Sequence, residues 1–146
     1  MIKRILTVAA ICLIGATAVV SAENQADNRE AAMKTNGKAM GALAAIAKGE
    51  KDYDAEVVKT SLTSIKEAIT VFPTYFPPGS EKDDEGASPK IWENKADFEA
   101  KAAKLAADVD ALLAQLPADK AAVGAAMGTL GKDCGGCHEV YRIKKS

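Results

Sequence analysis

The chain has 146 residues, of which 27% are charged and 5% aromatic, with one histidine, three cysteines and a formal net charge of −1. That length accommodates one domain. The balance of charge provides neither a basic stripe to neutralise phosphates nor a polybasic run for a lipid surface, which argues against nucleic acid as a partner and against an electrostatic membrane contact.

The first 22 residues read as an address and not as fold. Lys3 and Arg4 precede an apolar run from Ile5 to Val20 that closes on Val20-Ser21-Ala22, a small-residue processing site. A membrane anchor needs about 20 apolar residues, and this run is shorter and ends in the processing site. Residues 1–22 are therefore expected to be a cleaved secretory signal peptide, with residues 23–146 as the single mature domain and no stable membrane insertion after cleavage. Cys12 follows Ile11 within the run, where a lipoprotein signal would place a small residue, so it is discarded with the signal. Loss of Lys3 and Arg4 from 19 basic residues leaves 17 against 20 acidic ones, a net charge of −3.

Gln25 to Ala47 is rich in helix formers and places Met33, Gly37, Met40, Leu43 or Ala44, and Ala47 on one face. Lys48-Gly49-Glu50-Lys51 ends this first helix, Gly49 suiting a left-handed C-terminal position, and Asp52 or Asp54 can cap the next. A second helix is predicted from Ala55 to Phe72, with Val58, Leu62, Ile65, Ile69 and Phe72 at alternating steps of four and three, and Pro73 as its stop.

From Pro73 to Glu93 a long connection is expected. Tyr75, Phe76, Ile91 and Trp92 are apolar enough to pack. Its charged run, Glu81-Lys82-Asp83-Asp84-Glu85-Gly86, lacks the ligand spacing of a calcium loop and reads as a solvated excursion, an acidic docking patch being the other reading. A third helix follows over Asn94 to Leu116, with Phe98, Ala102, Leu105, Val109, Leu112 and Leu116 on its seam and Pro117 at its end.

Asp119 can cap the fourth helix, where Val123, Met127, Leu130, Cys134, Cys137 and Tyr141 continue the same steps. This helix carries Cys134-Gly135-Gly136-Cys137-His138, the attachment signature of c-type haem. Two thiols at this spacing add across the vinyl groups of one porphyrin edge, and the adjacent imidazole then reaches the iron from one face. Structural zinc needs four protein ligands where three are present, and a thioredoxin-like pair needs a βαβ context and gives His138 no role. A chance occurrence in an ordinary helix is the remaining reading. Export agrees with haem, because haem is joined to apoprotein on the outer side of the bacterial inner membrane. Abundant alanine and few aromatics suit closely approaching helices with a large planar cofactor supplying apolar volume.

No segment alternates with the period of a strand, and no tandem repeat is found. The fold expected is all-α, an antiparallel four-helix bundle running up-down-up-down, with one covalently bound haem near the C-terminal helix.

With its haem motif at the extreme C-terminus of an all-α chain, the sequence resembles the class II c-type cytochromes. Met33-Lys34-Thr35-Asn36-Gly37, Ala45 to Lys51 with Tyr53-Asp54, Ser88 to Trp92, and Cys134 to Arg142 resemble the low-spin cytochrome c-556 branch of the cytochrome c′ family. The resemblance spans essentially Glu23 to Ser146. It implies haem c, one per chain and covalent, held by Cys134 and Cys137, with His138 as proximal axial ligand of the iron. In class II proteins the residue four positions after a first-helix arginine faces the distal side of the haem; here the pair is Arg29 and Met33. In the c-556 branch that residue is a ligating methionine, so Met33 is expected as distal axial ligand, whereas in high-spin members the iron stays five-coordinate. Met40 and Met127 read as gap-filling core, Met127 lining the pocket, and Phe76 is expected to join it. Arg142, one turn after His138, falls beside the proximal face, and Arg29 is within reach of a propionate; both are equally well read as exposed helix charges.

The function implied is that of a periplasmic bacterial electron carrier and not an enzyme, with periplasmic redox proteins as donor and acceptor. No catalytic constellation is visible, and no second histidine can act as a base. The alternative is a high-spin cytochrome c′ that binds or sequesters NO or CO, with a peroxidase-like enzyme a distant third. Class II relatives often dimerise through the first two helices, so the resemblance allows a homodimer.

Overall fold

The computed structural model describes residues 23–83 and 85–144. The signal peptide expected at residues 1–22 lies outside them. Five α-helices occur among these residues: α1 Glu23–Lys48, α2 Ala55–Val71, α3 Lys90–Glu93, α4 Lys95–Ala114 and α5 Lys120–Tyr141. No strand forms among the described residues, whose one isolated bridge joins Ala87 to Arg142. The four long helices make a closed ring in which α1 packs on α2 and α5, and α4 packs on the same two. Contacts run in opposite sense along neighbours. Lys66 pairs with Asp110 and Phe72 with Phe98, while Lys104 pairs with Asp133 and Phe98 with Tyr141. The architecture is the expected antiparallel bundle, and no helix among the described residues is long and apolar enough to cross a membrane.

Local chemistry explains the boundaries. The Asp54 carboxylate accepts hydrogen bonds from the N–H groups of Glu56 and Val57, and that of Asp119 from Ala122, so α2 and α5 start with side-chain caps. Gly49 closes α1 at φ 74°, its N–H bonded to Ile46 O while the Glu50 N–H reaches Ala45 O; a Cβ there would also run into Lys120. Pro73 does not stop the chain's helical course as predicted. Lacking an N–H, it suits the start of a 3₁₀ turn, and Phe72–Tyr75 continues α2 in that tighter form. The connection also holds the short α3, with Pro89 before its first residue, so the third long helix starts at Lys95 and ends at Ala114.

The seams of α2 and α4 are buried where the periodicity put them, at Val58, Leu62, Ile65 and Ile69 and at Phe98, Ala102, Leu105 and Val109. On α1 the face is rotated. Arg29, Ala32, Ala39, Leu43 and Ile46 are buried, whereas Met33, Met40 and Ala47 are half-buried and Gly37 is exposed. Methionines drew the sequence reading to the wrong stripe, because Arg29 carries a charge and the alanines contribute little hydrophobic contrast. Those small residues let helices approach closely: a methyl at Gly124 of α5 would lie 3.9 Å from Ala47 Cβ.

Leu62 is fully buried and Val57 is exposed on the same helix. Leu62→Ala is expected to cost about 3 kcal/mol in urea denaturation, and Val57→Ala no more than about 0.5 kcal/mol.

Candidate functional site

A cavity of about 660 Å³ opens where α1, α4 and α5 meet the long connection. Its volume is within the roughly 300–1,000 Å³ of small-molecule and cofactor sites. Met33 and Asn36 of α1 stand on its wall together with Phe76, Cys134, Cys137 and His138. Both cysteines are free and half-buried, so the seam of α5 is the wall of the cavity at this level and not solid core. His138 is exposed at the outer edge. Positions 134, 137 and 138 share a side of α5 because they are three and four residues apart on a helix.

The end of α5 is fixed by Tyr141. Its hydroxyl donates to Asp97 Oδ2 at 2.6 Å, and its ring meets Phe98 edge-on with centroids 5.3 Å apart. The Ser88 N–H donates to Tyr141 O at 3.0 Å and the Ile143 N–H to Gly86 O at 2.9 Å. One end of the connection is thus stitched to the helix that carries His138. Sequence periodicity found Tyr141 on the seam but had no signal for this pairing, which joins residues far apart in the chain.

Arg29 stands on the cavity wall, but most of its guanidinium bonding goes elsewhere. It is 2% exposed, which overturns the reading of an exposed charge. Its Nε donates to Tyr75 O at 2.8 Å, and Nη2 donates to Ser80 Oγ at 2.7 Å and Ser80 O at 3.3 Å. The guanidinium lies 4.2 Å from the Phe76 ring centroid and 5.4 Å from that of Trp92. Arg29 therefore pins the other end of the connection to α1, and a desolvated cation over an aromatic face contributes about 2 kcal/mol. Lys95 supports the same segment by donating to Pro73 O at 2.7 Å and Phe76 O at 3.3 Å, and burial lowers its pKa, with Glu99 opposing and Arg29 reinforcing the shift.

Arg142 borders the cavity with an exposed side chain, its N–H bonded to His138 O at 3.2 Å. Met127 does not join the wall. It is half-buried against the core nearer the middle of α5, two turns before Cys134, and Met40 packs likewise. Lys101 and Asp133 also line the cavity. Periodicity missed these two because charged residues were read as outward faces.

The protonation states are those that haem attachment uses. Burial pushes the Cys134 thiol up, aided by the Asp133 charge. Burial likewise raises Cys137, against the lowering effect of Lys101. At neutral pH both are thiols. Partial burial and then the Arg142 charge lower the pKa of His138, leaving a neutral imidazole whose lone pair can coordinate iron. No group of three His, Cys, Asp or Glu side chains suited to hold a metal ion occurs among the described residues. The site fits haem c: two thiols, one imidazole and one thioether around an apolar cavity that includes Ile69, Phe72 and Leu105.

Comparison with known proteins agrees. A family model described as Cytochrome C′ matches residues 24–142. A cytochrome c-556 of Agrobacterium tumefaciens (strain II Chrys) is 58% identical over 121 residues, covering 83% of this chain and 98% of that protein. Among solved structures, cytochrome c′ from Rhodopseudomonas palustris is 37% identical with a TM-score of 0.78, covering 84% of this chain and 98% of its own. The oxidised cytochrome c556 of the same organism is 36% identical with a TM-score of 0.76, covering 85% and 99%.

Burial, and then the Asp97 hydrogen bond and charge, push the Tyr141 phenol up to about 12. Tyr141→Phe is expected to destabilise the protein by about 1–2 kcal/mol at neutral pH. A folded-state pKa above the ordinary phenol value of about 10 makes this advantage complete below pH 10, and it shrinks as pH rises towards 12. Urea denaturation of both proteins across that range checks the sign.

Proposed function

The chain belongs to the cytochrome c′ family, and from that premise we propose that it is a periplasmic electron-transfer protein with one covalently bound haem c, low-spin and six-coordinate. Residues 1–22 serve as its cleaved signal peptide and residues 23–146 as its one domain. The observation that carries the proposal is the meeting of Met33 and His138 on the wall of the cavity that also holds Cys134 and Cys137.

Haem c supplies a one-electron iron couple when bound. The chain does the rest. The Cys134 and Cys137 thiols would anchor the group so that it could not dissociate, and His138 and Met33 would offer the iron an imidazole lone pair and a soft thioether, a Met/His pair that would raise the potential relative to harder ligands. Both ligands sit on helices that pack directly on each other, so their separation is set by the α1–α5 interface. Phe72, Phe76 and Phe98 keep water from the inner wall, with Phe76 and Phe98 edge-on at 5.0 Å. Electrons pass to and from periplasmic redox proteins.

A second reading has a specific observation in its favour. A cytochrome c′ of Rhodopseudomonas palustris is as similar to this chain as the cytochrome c-556 of that organism, each 37% identical. On that reading Met33 packs over a five-coordinate iron that binds NO or CO. Optical spectroscopy separates the two. The ferric protein is expected to give low-spin Soret and α features with a far-red thioether-to-iron band, and Met33→Ala to convert the iron to high spin. A high-spin spectrum with ready CO binding while Met33 is intact, or no spectral change in the variant, sinks the His/Met assignment.

A further inference from the structure

Resting on the haem reading above, we propose that Asp133 is a potential-setting residue, its buried carboxylate holding the reduction potential of the iron down while Lys104 partly offsets it. Asp133 immediately precedes Cys134 and stands on the cavity wall. Its side chain is 7% exposed. Oδ1 accepts a hydrogen bond from Lys104 Nζ at 2.6 Å, whereas Oδ2 is buried without a hydrogen-bond partner. Lys104 Nζ also donates to Asp108 Oδ2 at 2.8 Å, so one ammonium serves two carboxylates that lie within hydrogen-bond reach of each other.

Burial decides which of these charges acts on the cavity. The Lys104 side chain is 62% exposed and that of Asp108 32%, so solvent screens their direct effect on the cavity, and Lys104 acts through its hydrogen bond to Asp133. The Asp133 carboxylate is buried in protein beside the cavity and its charge is screened far less. The other carboxylates on the wall, Asp27 and Glu30, are exposed on α1. A buried carboxylate with one oxygen unsatisfied is unfavourable unless positive charge lies nearby. Oxidised haem iron carries one more positive charge than reduced iron, so Asp133 favours the oxidised form. Charge and burial around the group are among the levers by which a protein sets haem potential.

The test is a spectroelectrochemical titration of the holoprotein and three variants, each with its optical spectrum recorded first. Asp133→Asn is expected to favour reduction about tenfold, a rise of about 59 mV for a one-electron couple. Lys104→Gln removes the offsetting charge and is expected to lower the potential. Asp108→Asn is expected to raise it less than Asp133→Asn does. An unchanged spectrum excludes replacement of an axial ligand as the source of a shift. The proposal is overturned by an Asp133→Asn protein of unchanged spectrum and unchanged potential, or by a Lys104→Gln protein whose potential does not fall. Where Asp133→Asn disturbs folding or the spectrum, Lys104→Gln, altered at an exposed side chain, decides alone. A high-spin wild-type spectrum would remove the Met33 ligand assignment and leave this test intact, because five-coordinate iron also has a measurable potential.

Discussion

The bundle must close at one end and stay open at the other, and most of the structure follows from that constraint. At the closed end Leu43, Ile46, Val58, Leu62, Val109 and Val123 are buried to within 1% exposure, and Ala47 meets Gly124 where a larger pair would hold the helices apart. Tyr53 donates to Pro117 O at 2.8 Å and ties together the two loops there. At the open end the side chains change kind. Met33, Cys134 and Cys137 are only half-buried, and the space between helices is the cavity itself. Close packing of an interior normally tolerates few voids, so an opening of this size needs stiff walls.

Stiffness at the open end comes from aromatic rings and the two cations laid against them. Phe72, Phe76, Phe98, Trp92 and Tyr141 form a run of edge-on or tilted contacts with centroids 5.0 to 6.1 Å apart. Arg29 and Lys95 cover parts of it while donating to carbonyls at Pro73, Tyr75, Phe76 and Ser80. The connection between α2 and α4 is therefore part of the wall. Its first half is held by these cations and its later part by the Ala87 to Arg142 bridge.

What was legible in the sequence tracks how strongly each signal contrasts with its surroundings. The seams of α2 and α4 are large apolar residues among polar ones, and steps of four and three located them correctly. The Cys134 to His138 motif was legible because its spacing has one dominant chemical meaning. Apart from Leu43, the α1 face was misread by about one position, since a buried arginine and two alanines look like a polar face. Periodicity within a helix also contains no information about a partner helix, which is why the Tyr141 to Asp97 bond and the Lys104 to Asp133 pair emerged only from the packed structure. Met127 packs as the gap-filling core residue it was read as but does not reach the cavity, because a shared seam does not specify depth: residues two turns apart on α5 face core in one case and cavity in the other.

The same division of labour bears on how finely function is encoded. Everything that makes the cavity, from the caps of α2 and α5 to the aromatic run, is compatible with five- or six-coordinate iron. On the proposed assignment, His138 would fill one axial position whatever faces it, and coordination on the far side would depend on Met33, a flexible side chain held half-buried on the neighbouring helix. Because α1 and α5 approach through small residues, a slight change in their spacing would move the thioether towards or away from the iron without disturbing the fold. A bundle of this kind can thus serve electron transfer or ligand binding with the same core, the choice resting on one side chain and the tightness of one helix interface.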